Sequence, residues 1–131
     1  MIVIKQKIQN EIIAHAKSDL PNEACGYLAG LDGVITTAYK LINIDHNPVH
    51  FSFDPAEQFQ TVKDARNKGI QIIANYHSHP STPARPSQED IRLAYDPDIL
   101  YFIVSLAANE PDLKAFKIVN GIVEKVEIQI Q

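Results

Sequence analysis

The chain has 131 residues, 45% hydrophobic and 21% charged, with a formal net charge of −4, which reads as one soluble domain spanning 1–131 and large enough to bury roughly two-thirds of its unfolded surface. The lack of a lysine/arginine cluster argues against nucleic acid or an anionic membrane as partner, no apolar run approaches the ~20 residues of a bilayer span, and the charged stretch MIVIKQKIQNEIIAHAK does not read as a signal peptide. A single cysteine, Cys25, excludes an internal disulfide and suits a reducing cytoplasm.

Residues 2–4 read as a short apolar strand. Ile8, Ile12 and Ile13 then fall at helical spacing from Lys5 to about Lys17, with His15 expected on the surface. Pro21 lies beyond, where a helix cannot continue. Cys25–Ala29 is a short apolar strand ending in Gly30, Asp32-Gly33 a turn, and Val34–Ile44 a long strand rich in β-branched residues. Asp54 is placed to cap the next helix, with Pro55 at its first position, Glu57 in its first turn and Gly69 at its end. Ala56, Phe59, Val62 and Ala65 form its expected buried stripe. Ile70–Tyr76 is a strand running into His77, and Ser87 to about Tyr95 a short helix. The almost wholly apolar Ile99–Ala107 suits a central strand covered on both faces. Leu113–Val119 and Ile122–Ile130 flank Asn120-Gly121, a hairpin signal. In the last strand Val126, Ile128 and Ile130 alternate with polar residues, so one face is wet. This order predicts an α/β (α+β) fold, a mixed β-sheet flanked by helices.

The chemistry concentrates in HSHPSTPARPSQED, residues 77–90. On an extended strand His77 and His79 share a face, and two imidazoles there can chelate one ion. Pro80, Pro83 and Pro86 stiffen the connection to Asp90 and reduce the entropy lost in bringing its carboxylate back. Three protein ligands leave a fourth position for water, as in catalytic zinc sites. Ser87-x-x-Asp90 also reads as an ordinary helix cap, and one Asp90 can serve both purposes. Glu89 precedes the ligand and is expected to point away from it.

The joint spacing decides between these readings. His77-x-His79, seven residues, Ser87, two residues, Asp90 resembles the signature of the JAMM (MPN-type) metalloprotease family at every fixed position. Pro21-Asn22-Glu23-Ala24-Cys25-Gly26 resembles the segment carrying the family's upstream glutamate in its short bacterial and archaeal members. The resemblance implies a JAMM/cytidine-deaminase-like α-β-α architecture, though the deaminases' Cys-x-x-Cys pair is absent. It implies one zinc ion per chain on His77, His79 and Asp90, Glu23 as general base and acid, and Ser87 as a donor to the oxyanion. Cys25, if extended with Glu23, shares its face and is a candidate site-lining residue. A thiol nucleophile is the rival use for it, and an inert core residue the ordinary one. His46 and His50 have no third partner at metal spacing and stay unassigned, and Arg85 reads as solvated.

Family members hydrolyse amide or isopeptide bonds after the C-terminal Gly-Gly of ubiquitin-like proteins. With 53 residues between Glu23 and His77 and 41 after Asp90, the chain resembles the compact stand-alone members more than deubiquitinases with insertions. The expected partner is therefore a ubiquitin-like sulfur carrier, its tail held in a groove, and the expected activity release of a residue such as cysteine. The alternatives are an isopeptidase acting on another ubiquitin-like modifier, another zinc hydrolase, and a non-catalytic MPN-type binding module. Retention of every ligand and of Glu23 argues against the last.

Overall fold

The computed structural model describes residues 1–131. Its elements are β1 (Ile2–Ile4), α1 (Gln6–Ser18), β2 (Cys25–Leu31), β3 (Val34–Leu41), α2 (Pro55–Asn67), β4 (Gln71–His79), α3 (Gln88–Arg92), β5 (Leu100–Ser105), β6 (Asp112–Val119), β7 (Ile122–Val126) and β8 (Ile128–Ile130). The strands form one eight-stranded sheet in the order β7-β6-β5-β4-β2-β3-β1-β8. The β1/β3, β1/β8 and β4/β5 pairs are parallel and the other four antiparallel, so the sheet is mixed as expected.

The two outermost strands, β7 and β8, are consecutive in the chain and separated only by Glu127. The predicted 122–130 strand thus divides, pairing first with β6 and then with β1. Glu127 marks the change, its carbonyl accepting from the Ile2 N–H at 2.9 Å. The sheet curls until its margins meet in this one extended segment. The α1 residues Ile8, Ile12 and Ala16 pack on the inner face against Leu28, Ile35, Tyr76, Phe102 and Val104. Those strand residues sit on one face because side chains alternate along a strand.

The outer face carries Tyr27, Tyr39, Asn75, His77, Tyr101 and Ile103. There α2 is tied down by Gln58 donating to the Tyr27 hydroxyl (2.9 Å) and by the Tyr39 hydroxyl donating to Asp64 (2.6 Å). Asp54 caps α2 and Pro55 opens it, as read from the sequence. The expected stripe is wrong. Thr61 and Ala65 are buried, whereas Phe59 is 67% and Val62 43% exposed. Each residue advances about 100° around a helix, so strict three-residue steps slip back about 60° each. Four such positions spread over half the circumference, and only Ala65 reaches the sheet.

Three other expectations need correction. Strand β3 stops at Leu41 rather than Ile44, and Asn43 instead bridges to Phe53 across the 42–53 loop. The helix after Ser87 ends at Arg92 rather than near Tyr95. His15 is buried, its Nδ1 2.6 Å from the Tyr76 hydroxyl and its Nε2 3.3 Å from Asp19, because α1 lies within the curl of the sheet. No helix is long and apolar enough to cross a membrane.

Candidate metal centre

Strand β4 is the spine of the site. It pairs antiparallel with β2, placing Cys25 opposite His77, and parallel with β5, placing His77 beside Ile103 and His79 beside Ser105. His77 and His79 emerge from its end on the outer face, 2% and 4% exposed. Ser78 points the other way, its Oγ accepting from the Ala24 N–H at 2.8 Å and locking β2 to β4. The proline-bearing turn then returns the chain, and α3 begins with a capping box. The Ser87 Oγ accepts from the Asp90 N–H (3.0 Å), and Asp90 Oδ2 accepts from the Ser87 N–H (2.9 Å).

That same Oδ2 lies 3.1 Å from His77 Nε2 and 3.0 Å from His79 Nε2, and the two Nε2 atoms are 3.1 Å apart. Cap and ligand cluster are thus one structure. Tetrahedral ligands bonded at about 2.0–2.1 Å stand roughly 3.3 Å apart, so three nitrogen and oxygen atoms at this spacing suit a metal ion. His79 Nδ1 faces the Pro83 carbonyl at 2.9 Å, which selects the tautomer whose Nε2 lone pair points into the cluster. Burial works against the His79 cation, but hydrogen bonding to Asp90 and Pro83 outweighs it and raises the pKa. Burial likewise opposes Asp90 ionisation, yet the two imidazoles hold its carboxyl far below the usual range.

Glu23 lies two residues before β2 and is only 3% exposed. Its N–H donates to the Asn47 carbonyl (2.9 Å), and its carbonyl accepts from Asn43 Nδ2 (3.1 Å). In the β2/β4 ladder it comes level with His79, two steps beyond the Cys25–His77 pair. Its Oε1 is buried and has no partner within the protein. Burial pushes its pKa up to about 8, with His79 opposing the rise and Asp90 and Glu89 adding to it. Cys25 is fully buried, and burial lifts its thiol to about 12, which leaves almost no thiolate at neutral pH. That weighs against the nucleophile reading.

The other histidines stay outside the cluster. His50 Nδ1 is 3.4 Å from Asp45 and 3.9 Å from Glu89, and His46 sits in a turn with φ 45°. Glu89 borders the small chamber that His77 and Asp90 also line, while its carboxylate oxygens lie 3.9 Å from His50 Nδ1 and 3.7 Å from Arg92 and the side chain is 38% exposed.

Two contributors went unread in the sequence. Phe51 stacks on His77 (centroids 4.7 Å, 27° between planes), and Phe53 stacks on Tyr27 (4.8 Å). The aromatic-polar-aromatic alternation of Phe51-Ser52-Phe53 is the pattern that signals them. The carbonyl of Pro83 has no such signal, since any residue supplies one. Beside the cluster runs a cleft of about 960 Å³ between α2 and residues 93–99, floored by Tyr27, Ile72 and Tyr101.

A curled mixed sheet around one helix, with two strand-end histidines and a helix-capping aspartate converging on its outer face, defines a JAMM-type hydrolase domain. The chain belongs to the prokaryotic homologs of the JAB domain, whose family pattern matches residues 5–119. It is 32% identical over 133 aligned residues to the CysO-cysteine peptidase of Mycobacterium tuberculosis, covering 99% of this chain and 91% of that protein. It is 32% identical over 104 residues to a desampylase of Haloferax volcanii, covering 74% and 75%. A solution structure of a Desulfitobacterium hafniense protein superposes with a TM-score of 0.93 at 48% identity, covering 100% of this chain and 93% of that one.

Proposed function

We propose that residues 1–131 form a zinc-dependent peptidase that cuts the amide or isopeptide bond after the C-terminal Gly-Gly of a ubiquitin-like sulfur carrier. The observation that carries this reading is the 3.0–3.1 Å triangle of His77, His79 and Asp90 ligand atoms beside a buried, unpartnered Glu23 carboxylate. Two imidazoles and one carboxylate are a donor set suited to a catalytic zinc, one ion per chain. When bound, zinc brings the pKa of water to roughly 7 and polarises a carbonyl.

The chain's own residues do the rest. Glu23 takes the proton of the attacking water and hands it to the leaving amine. Its high pKa in the metal-free protein is opposed by a dication, which favours the ionised base. The Ser87 Oγ receives the Asp90 N–H, so its own hydroxyl proton is free to be donated to the oxyanion. Cys25 lines the floor beside His77 without taking part. The cleft over Tyr27 and Tyr101 receives the extended tail, and Phe51 stacks on His77 and limits its tilt.

The Mycobacterium relative is named for removing cysteine from CysO, which favours a carrier-borne amino acid as the leaving group. A Thermus thermophilus relative is named as a probable protease cleaving TtuB–protein conjugates, which favours a protein as the leaving group instead, and the same residues serve that isopeptide chemistry. The test offers a ubiquitin-like carrier extended beyond Gly-Gly to the protein, with and without chelator, beside a Glu23→Gln variant. Cleavage by the wild type alone, lost with chelator and restored by zinc, is expected. Cleavage that survives the chelator overturns the metal mechanism. A protein that neither holds zinc nor acts after zinc is added is a binding module.

A further inference from the structure

His79 and His77 are supported differently. The Nδ1 of His79 has a partner in the Pro83 carbonyl, while that of His77 is buried with no partner in the protein. One other unpaired buried atom lies on the same strand and the same face, Oδ1 of Asn75. Both residues border one small chamber of about 50 Å³, whose other walls include Phe51, Leu93, Tyr101 and Ile103, with Glu89 and Asp90 at its edge. A chamber needs only about 10–15 Å³ on this measure to hold a water, and a buried water needs polar partners to stay. This chamber supplies a donor, His77 Nδ1–H, and an acceptor, Asn75 Oδ1. Of the other polar residues at its edge, Asp90 Oδ2 is already engaged by His77 Nε2, His79 Nε2 and the Ser87 N–H, and Glu89 Oε1 and Oε2 lie nearest His50 and Arg92.

We infer that Asn75 is a positioning residue for the metal ligand His77, acting through a single water held in this chamber. The water accepts from Nδ1–H and donates to Oδ1, fixing the tautomer whose Nε2 lone pair meets Asp90 and His79. A buried N–H left unpaired costs about 1–3 kcal/mol, enough to favour the wrong tautomer or a turned ring. Phe51 stacked on the ring limits tilt but cannot choose between the two nitrogens. The polar link does what packing cannot, as the outer partners of metal-bound histidines generally do.

This inference rests on the metal reading above, and the test separates the two. Zinc affinity is measured by competition with a chromophoric chelator for the wild type, Asn75→Leu and Asn75→Asp, alongside the melting temperature of each metal-free protein. Leucine fills the same space without an acceptor, and aspartate keeps the acceptor. The expected result is a 10–100-fold loss of affinity for Asn75→Leu, affinity within about threefold of wild type for Asn75→Asp, and similar metal-free melting for both. Equal affinity in all three proteins, or equal loss in both variants, overturns the role of Asn75. A wild type that binds no zinc overturns the metal reading and this inference with it. Imidazole nitrogen NMR of the unaltered zinc-loaded protein gives an independent check, with His77 expected to show a protected Nδ1–H. Ligation through Nδ1 overturns the proposal whatever the variants do.

Discussion

Substituting Glu23 by glutamine in the metal-free protein isolates the energetics of the proposed base. Glu23 has a pKa raised from 4.5 to about 8, first through burial. The folded state therefore holds a proton that the unfolded chain has already released, and stability must fall as pH rises across that interval. The contribution is complete below about pH 4.5 and lost by about pH 8. Each tenfold step is worth up to about 1.4 kcal/mol, so the accumulated loss is on the order of 3–5 kcal/mol. Glutamine has the same shape and no titration. Urea unfolding of both chelated proteins at pH 5, 6, 7 and 8 reads the difference. The wild type is expected to lose stability relative to Glu23→Gln with each step, and to recover most of it when zinc is added, because the dication favours the carboxylate. Asp90, held far below the usual carboxylate range, changes charge only at lower pH and does not distort the window. Parallel pH profiles for the two proteins would refute the claim that Glu23 is buried in an ion-hostile setting, and with it the reason given for its basicity.

Ser87→Ala removes the Oγ that receives the Asp90 N–H and is expected to cost about 1 kcal/mol in urea unfolding. It should also lower turnover about 10²–10³-fold if the hydroxyl serves the oxyanion, whereas a stability loss with full turnover leaves Ser87 as a cap only. Cys25→Ala is expected to keep metal-dependent cleavage while losing about 1–2 kcal/mol of stability from the fully buried position. A folded, zinc-loaded Cys25→Ala protein without turnover would revive the thiol mechanism. Gly26→Ala should lower stability by about 1–3 kcal/mol or more, because a Cβ there collides with the Tyr39 carbonyl and the Tyr76 ring. A melting temperature within 1–2 °C of wild type would show that β2 and β3 can shift to absorb it.

What the sequence made legible was set by the range of the interactions involved. Caps and turns are local, so Asp54-Pro55, the Ser87 capping box and the Asn120-Gly121 hairpin all appear where their residues place them. The clustering of His77, His79 and Asp90 was legible for the same reason, since one strand end, one stiff turn and one cap join them. The buried face of α2 was not, because three-residue spacing drifts around the helix and tertiary contacts choose which residues face inward. His15 was misread because a polar helix residue finds its partner, Tyr76, 61 positions away. The support of His77 was invisible too. Phe51 reaches His77 by direct stacking across 26 positions, and Asn75 meets it only at a chamber that folding builds.

The meeting of the sheet's margins also orders events in time. β1 pairs with residues 128–130, and the Gln131 N–H donates to the Ile4 carbonyl at 3.0 Å. The earliest strand made by the ribosome thus waits for one synthesised some 120 residues later, a pairing of very long sequence separation that is slow to close. Until then β1 and one edge of β6 stand open, and α1 has an incomplete wall beside it. The histidine-bearing strand β4 and its neighbours β2 and β5 can pair beforehand. The nascent chain can therefore carry an assembled ligand cluster on a sheet that is still unsealed, which makes residues 122–130 the latch on the whole domain.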